Sequence, residues 1–178
     1  MELLYIAIAL MVVVLIYQQV VVPLRMQKKM IDLLSELENL GYNITIEKNQ
    51  GYQYAIENKD WLYLVAVCNI PSNSTVTINS KDTWHLAWGG NPKDRGRSYR
   101  HDRYLTELTT FLKRDYHFDK PTTKIIMLYP STEKVLRYLN ESELDIITPK
   151  ETPYGYKVTT YITFIEDFHQ YIEKGASS

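Results

Sequence analysis

The most basic segment of the chain concentrates the residues that could bind a charged partner. It runs from position 93 to 103 and holds five cations, Lys93, Arg95, Arg97, Arg100 and Arg103. We interpret the segment either as a solvated loop leading into a helix, or as a binding patch. A patch of this kind would accept a phosphate backbone, lipid head groups or an acidic protein surface. Because cations at a helix N-terminus oppose its dipole, a bound anion would favour them here.

The other residue types that perform catalysis are scattered. Cys68 lies in an apolar run, which is typical of a small core residue, and a single cysteine cannot form an internal disulfide. The four histidines include no i, i+4 pair and have no cysteine at a zinc-ligand spacing. Neither a Gly-rich phosphate loop nor a G-x-S-x-G elbow occurs. The sequence therefore predicts no resident metal and no cofactor.

Length, composition and charge limit the classes of protein that remain. A chain of 178 residues is long enough for one domain and an anchor. Hydrophobic residues make up 45% and charged residues 23%, a globular balance. The formal net charge is -1, so any attraction to nucleic acid or anionic lipid must come from a local patch.

Hydrophobic periodicity indicates the elements that position these residues. Apolar side chains recur at three- and four-residue spacing over 24–40, which predicts a helix capped by Gly41. Alternating or apolar runs predict strands over 42–47, 52–57, 61–68, 75–78, 83–88, 124–129 and 144–148. Helical spacing follows up to Arg114, again over 132–140, and in a final stripe from Ile162 to Ile172. The order indicates a mixed sheet covered by helices.

The N-terminal segment resembles a membrane anchor. No acidic or basic residue occurs from Leu3 to Val22, and about 20 helical residues would span the hydrocarbon core. A cleaved signal peptide is the rival, but no basic residue precedes the run and no small-x-small site follows it. Because Arg25, Lys28 and Lys29 follow the span, we expect the remainder of the chain in the cytoplasm.

The region from Gly51 to Leu112 resembles the nuclease-related domain (NERD) family, which has a restriction-endonuclease-like α-β-β-β-α-β core. That family shows a strand with an acidic metal ligand, and then a strand reading V-I-E-x-K-N. A hairpin with a tryptophan, an Asn-Pro loop and a helix follow. Here the run Leu64-Val65-Ala66-Val67-Cys68-Asn69 resembles the second strand, Trp84 matches the hairpin tryptophan, and Asn91-Pro92 matches the loop. The resemblance covers 30–174. It implies one mixed-sheet α/β (α+β) domain over 42–174, after an anchor over 1–23 and a juxtamembrane helix over 24–41, with a tail over 175–178.

The resemblance also implies a catalytic site whose residues are replaced. Cleavage in such a fold uses two carboxylates that hold Mg²⁺ and a lysine that assists the attacking water. The matching positions are Gln53, Ala66 and Cys68, none of which suits that chemistry. An alternative draws its ligands from Glu47 and from the E-x-K of Glu57 and Lys59, although Asn58-Lys59-Asp60 is also a strong turn signal.

Three functional hypotheses follow. The first is a membrane-anchored, catalytically degenerate module that binds or assembles a partner, with a protein or nucleic acid bound through the basic segment. The second is a membrane-associated, Mg²⁺-dependent nuclease with relocated ligands. The third is a nucleic-acid binder that does not cleave. Whether the chain forms a homo-oligomer stays open.

Overall fold

The computed structural model describes residues 5–6, 10–14, 17–47, 49–90, 99–132, 134–140, 143–148 and 151–164. By its internal contacts the chain divides into two units, Met1–Tyr42 and Asn43–Ser178. The first is helical where described, and the second holds all the strands.

The N-terminal unit is dominated by helix α1, Val22–Asn39, which continues from a π-helical turn, Tyr17–Val21. One face of α1 buries Met30, Leu33, Leu34 and Leu37, at the three- and four-residue spacing of an amphipathic helix. The helix ends as predicted. Gly41 adopts φ +89°, and the amides of Gly41 and Tyr42 donate to the carbonyls of Glu38 and Leu37, which is the hydrogen-bond pair of a Schellman cap.

The membrane anchor predicted over 1–23 is not supported. In the described part of the chain, no helix combines the length and the apolar character needed to cross a bilayer. Helix α1 has the length, but its sequence includes six charged residues: Arg25, Lys28, Lys29, Asp32, Glu36 and Glu38. The predicted single-pass topology is therefore wrong, and so is the cytoplasmic placement that was inferred from it.

The second unit contains two five-stranded mixed sheets in the described residues. The first has the order β1-β2-β3-β7-β10, with β1 Asn43–Ile46, β2 Tyr54–Glu57, β3 Leu62–Asn69, β7 Thr122–Tyr129 and β10 Tyr156–Thr160. The second has the order β6-β5-β4-β8-β9, with β4 Thr75–Ile78, β5 Trp84–Trp88, β6 His101–Tyr104, β8 Lys134–Asn140 and β9 Glu143–Ile146. A 3₁₀ turn, Thr106–Leu108, leads into the short helix α2, Thr109–Lys113, and a second 3₁₀ turn, Pro153–Gly155, precedes β10.

Two neighbouring chain segments pass from the first sheet into the second. In the first sheet β3 pairs in parallel with β7, and in the second β4 pairs in parallel with β8. Pro71 follows β3 and Pro130 follows β7, and a proline cannot donate the amide that would extend a ladder. A hydrogen bond from the Thr132 hydroxyl to the Ser74 carbonyl, 2.7 Å, joins the two segments beyond the break.

A single core lies between the two sheets. Leu64, Ala66 and Cys68 of β3 join Val76 of β4 and Phe111 of α2 in one buried cluster. Members of β5, β7, β8 and β10 complete it. Both sheets therefore use one face for the core. The opposite face of the first sheet is also buried at Tyr63, Val65, Ile125 and Met127, whereas that of the second sheet exposes Tyr104 and Ile146.

The predicted fold class, a transmembrane helix followed by one mixed-sheet restriction-endonuclease-like α-β-β-β-α-β domain, is wrong. The segment 132–140 was expected to be a helix, but its residues from Lys134 form β8, because Val135 fills the core beside Val76. The helix expected up to Arg114 is confined to Thr109–Lys113, since 101–104 form a strand. The strand β10, Tyr156–Thr160, was not predicted from the sequence. The final helix falls largely outside the described residues, which include helical positions 161–164.

Candidate functional site

Two of the three positions that the resemblance assigns to catalysis lie inside the core. Ala66 and Cys68 share one face of β3 because side chains two residues apart along a strand point the same way. Their exposed fractions are 1% and 0%. Ile126 and Leu128 of β7 stand beside them in the ladder and are equally buried. A divalent ion held on this face would have no contact with water or substrate.

The environment of Cys68 makes its thiol unreactive at neutral pH. Its Sγ donates to Glu107 Oε1 at 3.7 Å. Burial, and secondarily the negative charge of Glu107, raises the pKa of Cys68 to about 12, which the positive charge of Arg103 only partly offsets. Since the thiolate is the nucleophile, Cys68 acts as a core residue, as its apolar strand predicts.

The third position, Gln53, is used by the backbone of the sheet. Its side-chain Oε1 accepts a hydrogen bond from the Val67 amide at 2.7 Å, and its own amide donates to the Val65 carbonyl at 3.0 Å. Its carbonyl accepts from the Glu47 amide at 2.9 Å. Gln53 therefore joins β3 to the chain that precedes β2.

The alternative set, Glu47, Glu57 and Lys59, is not gathered into a metal site. Glu57 Oε1 accepts from Lys120 Nζ at 2.6 Å. Lys59 is exposed in a turn closed by Asn58, whose Oδ1 accepts from two following backbone amides. Among the described residues, no group of three or more His, Cys, Asp or Glu side chains is placed to hold a metal ion.

The described part of the basic segment is divided between a structural ion pair and an exposed cation. Lys93, Arg95 and Arg97 lie outside the described residues. Arg103 donates from both terminal nitrogens to Glu107, each at 2.8 Å. That bidentate pair raises the pKa of Arg103 and lowers the pKa of Glu107. Arg100 is exposed immediately before β6.

The strand that follows Arg100 contributes to an open face of the second sheet. Register partners place Tyr104, His85, Thr77, Leu136 and Ile146 in one row across all five strands. The row lies opposite the core, because the neighbouring register positions Val76, Leu86 and Val135 belong to the buried cluster. Tyr104 is 56% exposed and Ile146 is 62% exposed. We call this surface the outer face.

Polar and aromatic contacts shape the half of the outer face that lies nearest Arg100. His85 Nε2 lies 3.1 Å from Asp102 Oδ2, and the ring of Tyr104 meets the His85 ring edge-on at 5.4 Å. The Tyr99 hydroxyl lies 2.7 Å from that of Thr75, which helps to keep Thr75 buried. Tyr138, two residues along β8 from the row, is 41% exposed.

Sequence reasoning missed several residues with charged contacts, among them Glu107, Lys120 and the pair of Lys113 with Asp82. Glu107 stands four residues after Arg103, and opposite charges at that spacing are a recognisable pairing signal. Lys120 offered no such signal, since it is 63 residues from Glu57. Comparison of the chain with protein-family models, with curated proteins and with solved structures finds no match.

Proposed function

We propose that the chain is a non-catalytic binding domain that takes single-stranded nucleic acid on the outer face. One observation carries the proposal: the basic segment leads directly into β6, whose exposed Tyr104 begins the row that crosses the second sheet. Arg100, exposed immediately before β6, therefore borders a sheet surface that presents aromatic rings. Proteins that bind single strands combine these two features, a basic rim for the backbone and rings on which bases stack.

The non-catalytic part of the proposal is supported by the burial of Ala66 and Cys68. Both side chains face the core, where neither water nor a phosphodiester has access. We also propose kinship with the nuclease-related domain family. This is supported by the antiparallel run β1-β2-β3 and by β7 parallel to β3, although the strands β4, β5 and β6 stand before the helix α2 in the chain. Under that kinship the chain keeps strands of the family without its hydrolytic residues.

The binding part is supported by the composition of the outer face. Tyr104, His85 and Tyr138 supply rings, and Arg100 supplies a cation that has no ion-pair partner among the residues the structure describes. The five cations of the segment from Lys93 to Arg103 exceed its two acidic residues, although Arg103 is already neutralised by Glu107. Because the net charge of the chain is only -1, this local excess faces little opposition from the overall field.

The test is fluorescence anisotropy with a labelled oligothymidylate of about 15 nucleotides, within the range of single-strand site sizes, titrated at several salt concentrations. We expect an affinity that falls with salt. Arg100→Ala should reduce the slope of log K against log salt by about 0.7, the value for one phosphate contact on a single strand. Tyr104→Ala should weaken binding by about 1–3 kcal/mol, the cost of one lost stacked base.

Matched controls are Lys28→Ala, which removes an exposed cation of α1, and Phe118→Ala, which removes an exposed ring on the segment after α2. Both should bind as the wild type does. Equal losses in the control and test variants, or an affinity independent of salt, would overturn the nucleic-acid proposal. The same preparation is incubated with plasmid and Mg²⁺. Nicking that Glu57→Ala abolishes would overturn its non-catalytic part.

A further inference from the structure

A cleft forms a second candidate site, and none of its lining residues belongs to the outer-face row. It is a cleft of about 310 Å³ at the lower end of the range for small-molecule sites. Its walls come from the β4–β5 hairpin, the segment after α2, the start of β7 and the turn before β10. The lining includes Lys81, Asp115, His117, Lys124, Tyr154 and Tyr156.

Lys124 places a fixed positive charge in the wall of this cleft. Its Nζ donates to the carbonyls of Phe111, Leu112 and Arg114, at 2.9, 3.3 and 2.6 Å. The ammonium also lies 5.1 Å from the ring centre of Tyr116 and 5.5 Å from that of Tyr156. Burial lowers the pKa of Lys124, and the positive charge of Lys81 adds to that effect, while the carboxylate of Asp115 opposes it.

Lys81 supplies a second cation that remains available to a ligand. It is exposed on the hairpin, and it has no ion-pair partner among the described residues. The neighbouring Asp82 is instead paired with Lys113, with 3.6 Å between Asp82 Oδ2 and Lys113 Nζ. The cleft thus holds two ammonium groups against the single carboxylate of Asp115. An anion placed between Lys81 and Lys124 would relieve the repulsion between them.

An aromatic side chain lines the same cleft from a strained backbone. Tyr154 has φ 54° and ψ 24°, the left-handed region that side chains other than glycine rarely adopt. Gly155 follows with φ +81°. The Tyr154 ring is held under the guanidinium of Arg137, 5.9 Å from its centre, and 46% of the residue stays exposed. A glycine at 154 would avoid the strain, so the ring is retained where the backbone does not favour it.

We propose that this cleft binds a small phosphate ester carrying an aromatic ring, of the nucleoside monophosphate class. The phosphate accepts hydrogen bonds from Lys81 and is attracted by the positive charge of Lys124, whose three N–H groups are already donated to carbonyls, and the ring of the ligand packs along Tyr154. A volume of about 310 Å³ exceeds what an inorganic anion alone would fill. The site shares no residue with the outer-face row, and the inference does not rest on the nucleic-acid proposal.

The test is isothermal titration calorimetry on the full chain with adenosine monophosphate, adenosine and inorganic phosphate. We expect adenosine monophosphate to bind at least tenfold more tightly than either fragment, because each fragment satisfies only one half of the site. Lys81→Ala should weaken binding of the monophosphate about twofold to fivefold, the upper part of the range for loss of one exposed charge pair, and leave adenosine binding unchanged. Lys28→Ala, which removes an exposed cation of α1, is the matched control and should have no effect.

A second variant separates binding from folding. Tyr154→Gly removes the ring and also the backbone strain, so it should unfold at or above the wild-type temperature. It should nevertheless bind adenosine monophosphate at least fivefold more weakly, with inorganic phosphate unchanged. The proposal is overturned if the monophosphate does not bind, if it binds no better than inorganic phosphate, or if Lys81→Ala and Tyr154→Gly both bind as the wild type does.

Discussion

Replacing Ala66 with glutamate would restore the acid that the nuclease resemblance expects, and the structure predicts that it strongly destabilises the protein instead. Ala66 is 1% exposed within the core. A fully buried carboxyl group has its pKa raised by up to about 3–5 units, and each unit corresponds to about 1.4 kcal/mol. A carboxyl with so high a pKa is protonated in the folded state at neutral pH, so Ala66→Glu should lose about 1.4 kcal/mol for each pH unit above the unfolded value of about 4.3. At pH 7.5 the loss is about 4 kcal/mol, before the strain of the larger side chain is added. Domains of this kind have about 5–15 kcal/mol in total.

Urea denaturation at pH 7.5 and at pH 5 measures this loss. Because the folded-state pKa of the new carboxyl is raised, its penalty is full above that pKa and disappears as the pH falls towards the unfolded value of about 4.3. The deficit should thus be smaller at pH 5, with the strain term remaining. Asn69→Glu, on an exposed position of the same strand, is the control and should change stability by less than about 0.5 kcal/mol. A loss below about 1 kcal/mol for Ala66→Glu, or stabilisation of that variant by Mg²⁺, would refute the closed-core argument.

Three further outcomes test individual contacts. Burial raises the pKa of the Cys68 thiol to about 12, so the thiol contributes stability below its unfolded pKa that is lost as the pH rises. Cys68→Ala should therefore abolish about 2 kcal/mol of the alkaline loss of stability seen by pH 10.5. Urea midpoints at pH 8 and pH 10.5 measure this loss, and equal losses in both proteins would contradict the prediction. The lowered pKa of Glu107 contributes stability above its unfolded pKa that is lost as the pH falls. Because the side chains of Glu107 and Arg103 are both 41% exposed, we expect Arg103→Ala to lower the free energy of unfolding by only about 0.5–1 kcal/mol at pH 7, and by less at pH 3. A loss of stability that grows towards acid pH would count against the pairing. Lys124→Met should lower the free energy of unfolding by about 2 kcal/mol, because it leaves three carbonyl oxygens at the end of α2 without their donor. Thermal or urea unfolding measures this change. A variant as stable as the wild type would show that water replaces the ammonium without cost.

Elements defined by local pattern were predictable from the sequence. Thr75–Ile78 matches its predicted bounds, and the apolar run of β3 was assigned within one residue at each end. The cap at Gly41 followed from residue type and position, and the structure confirms it. In these segments the neighbouring residues alone determine which side chains face the same way, so periodicity carries the needed information.

The second sheet depends on pairings that no local pattern marks. In β8, the spacing of Val135, Leu136 and Leu139 suits a helical face as well as a strand. It becomes a strand because β4, far away in sequence, offers a parallel partner and a buried place for Val135. The strand β6 contains three ionisable side chains, His101, Asp102 and Arg103, and so carries no apolar alternation. The outer face could not be foreseen, since it exists only once β6 and β8 are both strands.

The breaks after β3 and β7 have a mechanical consequence. Each of two adjacent segments crosses from one layer to the other, so the layers are joined by the strands at their centres rather than by peripheral loops. Separating the two sheets would require breaking the backbone hydrogen bonds between β3 and β7 and between β4 and β8. The two layers should accordingly melt together, and only the outermost strands β1, β6, β9 and β10 have the freedom to exchange their amides early.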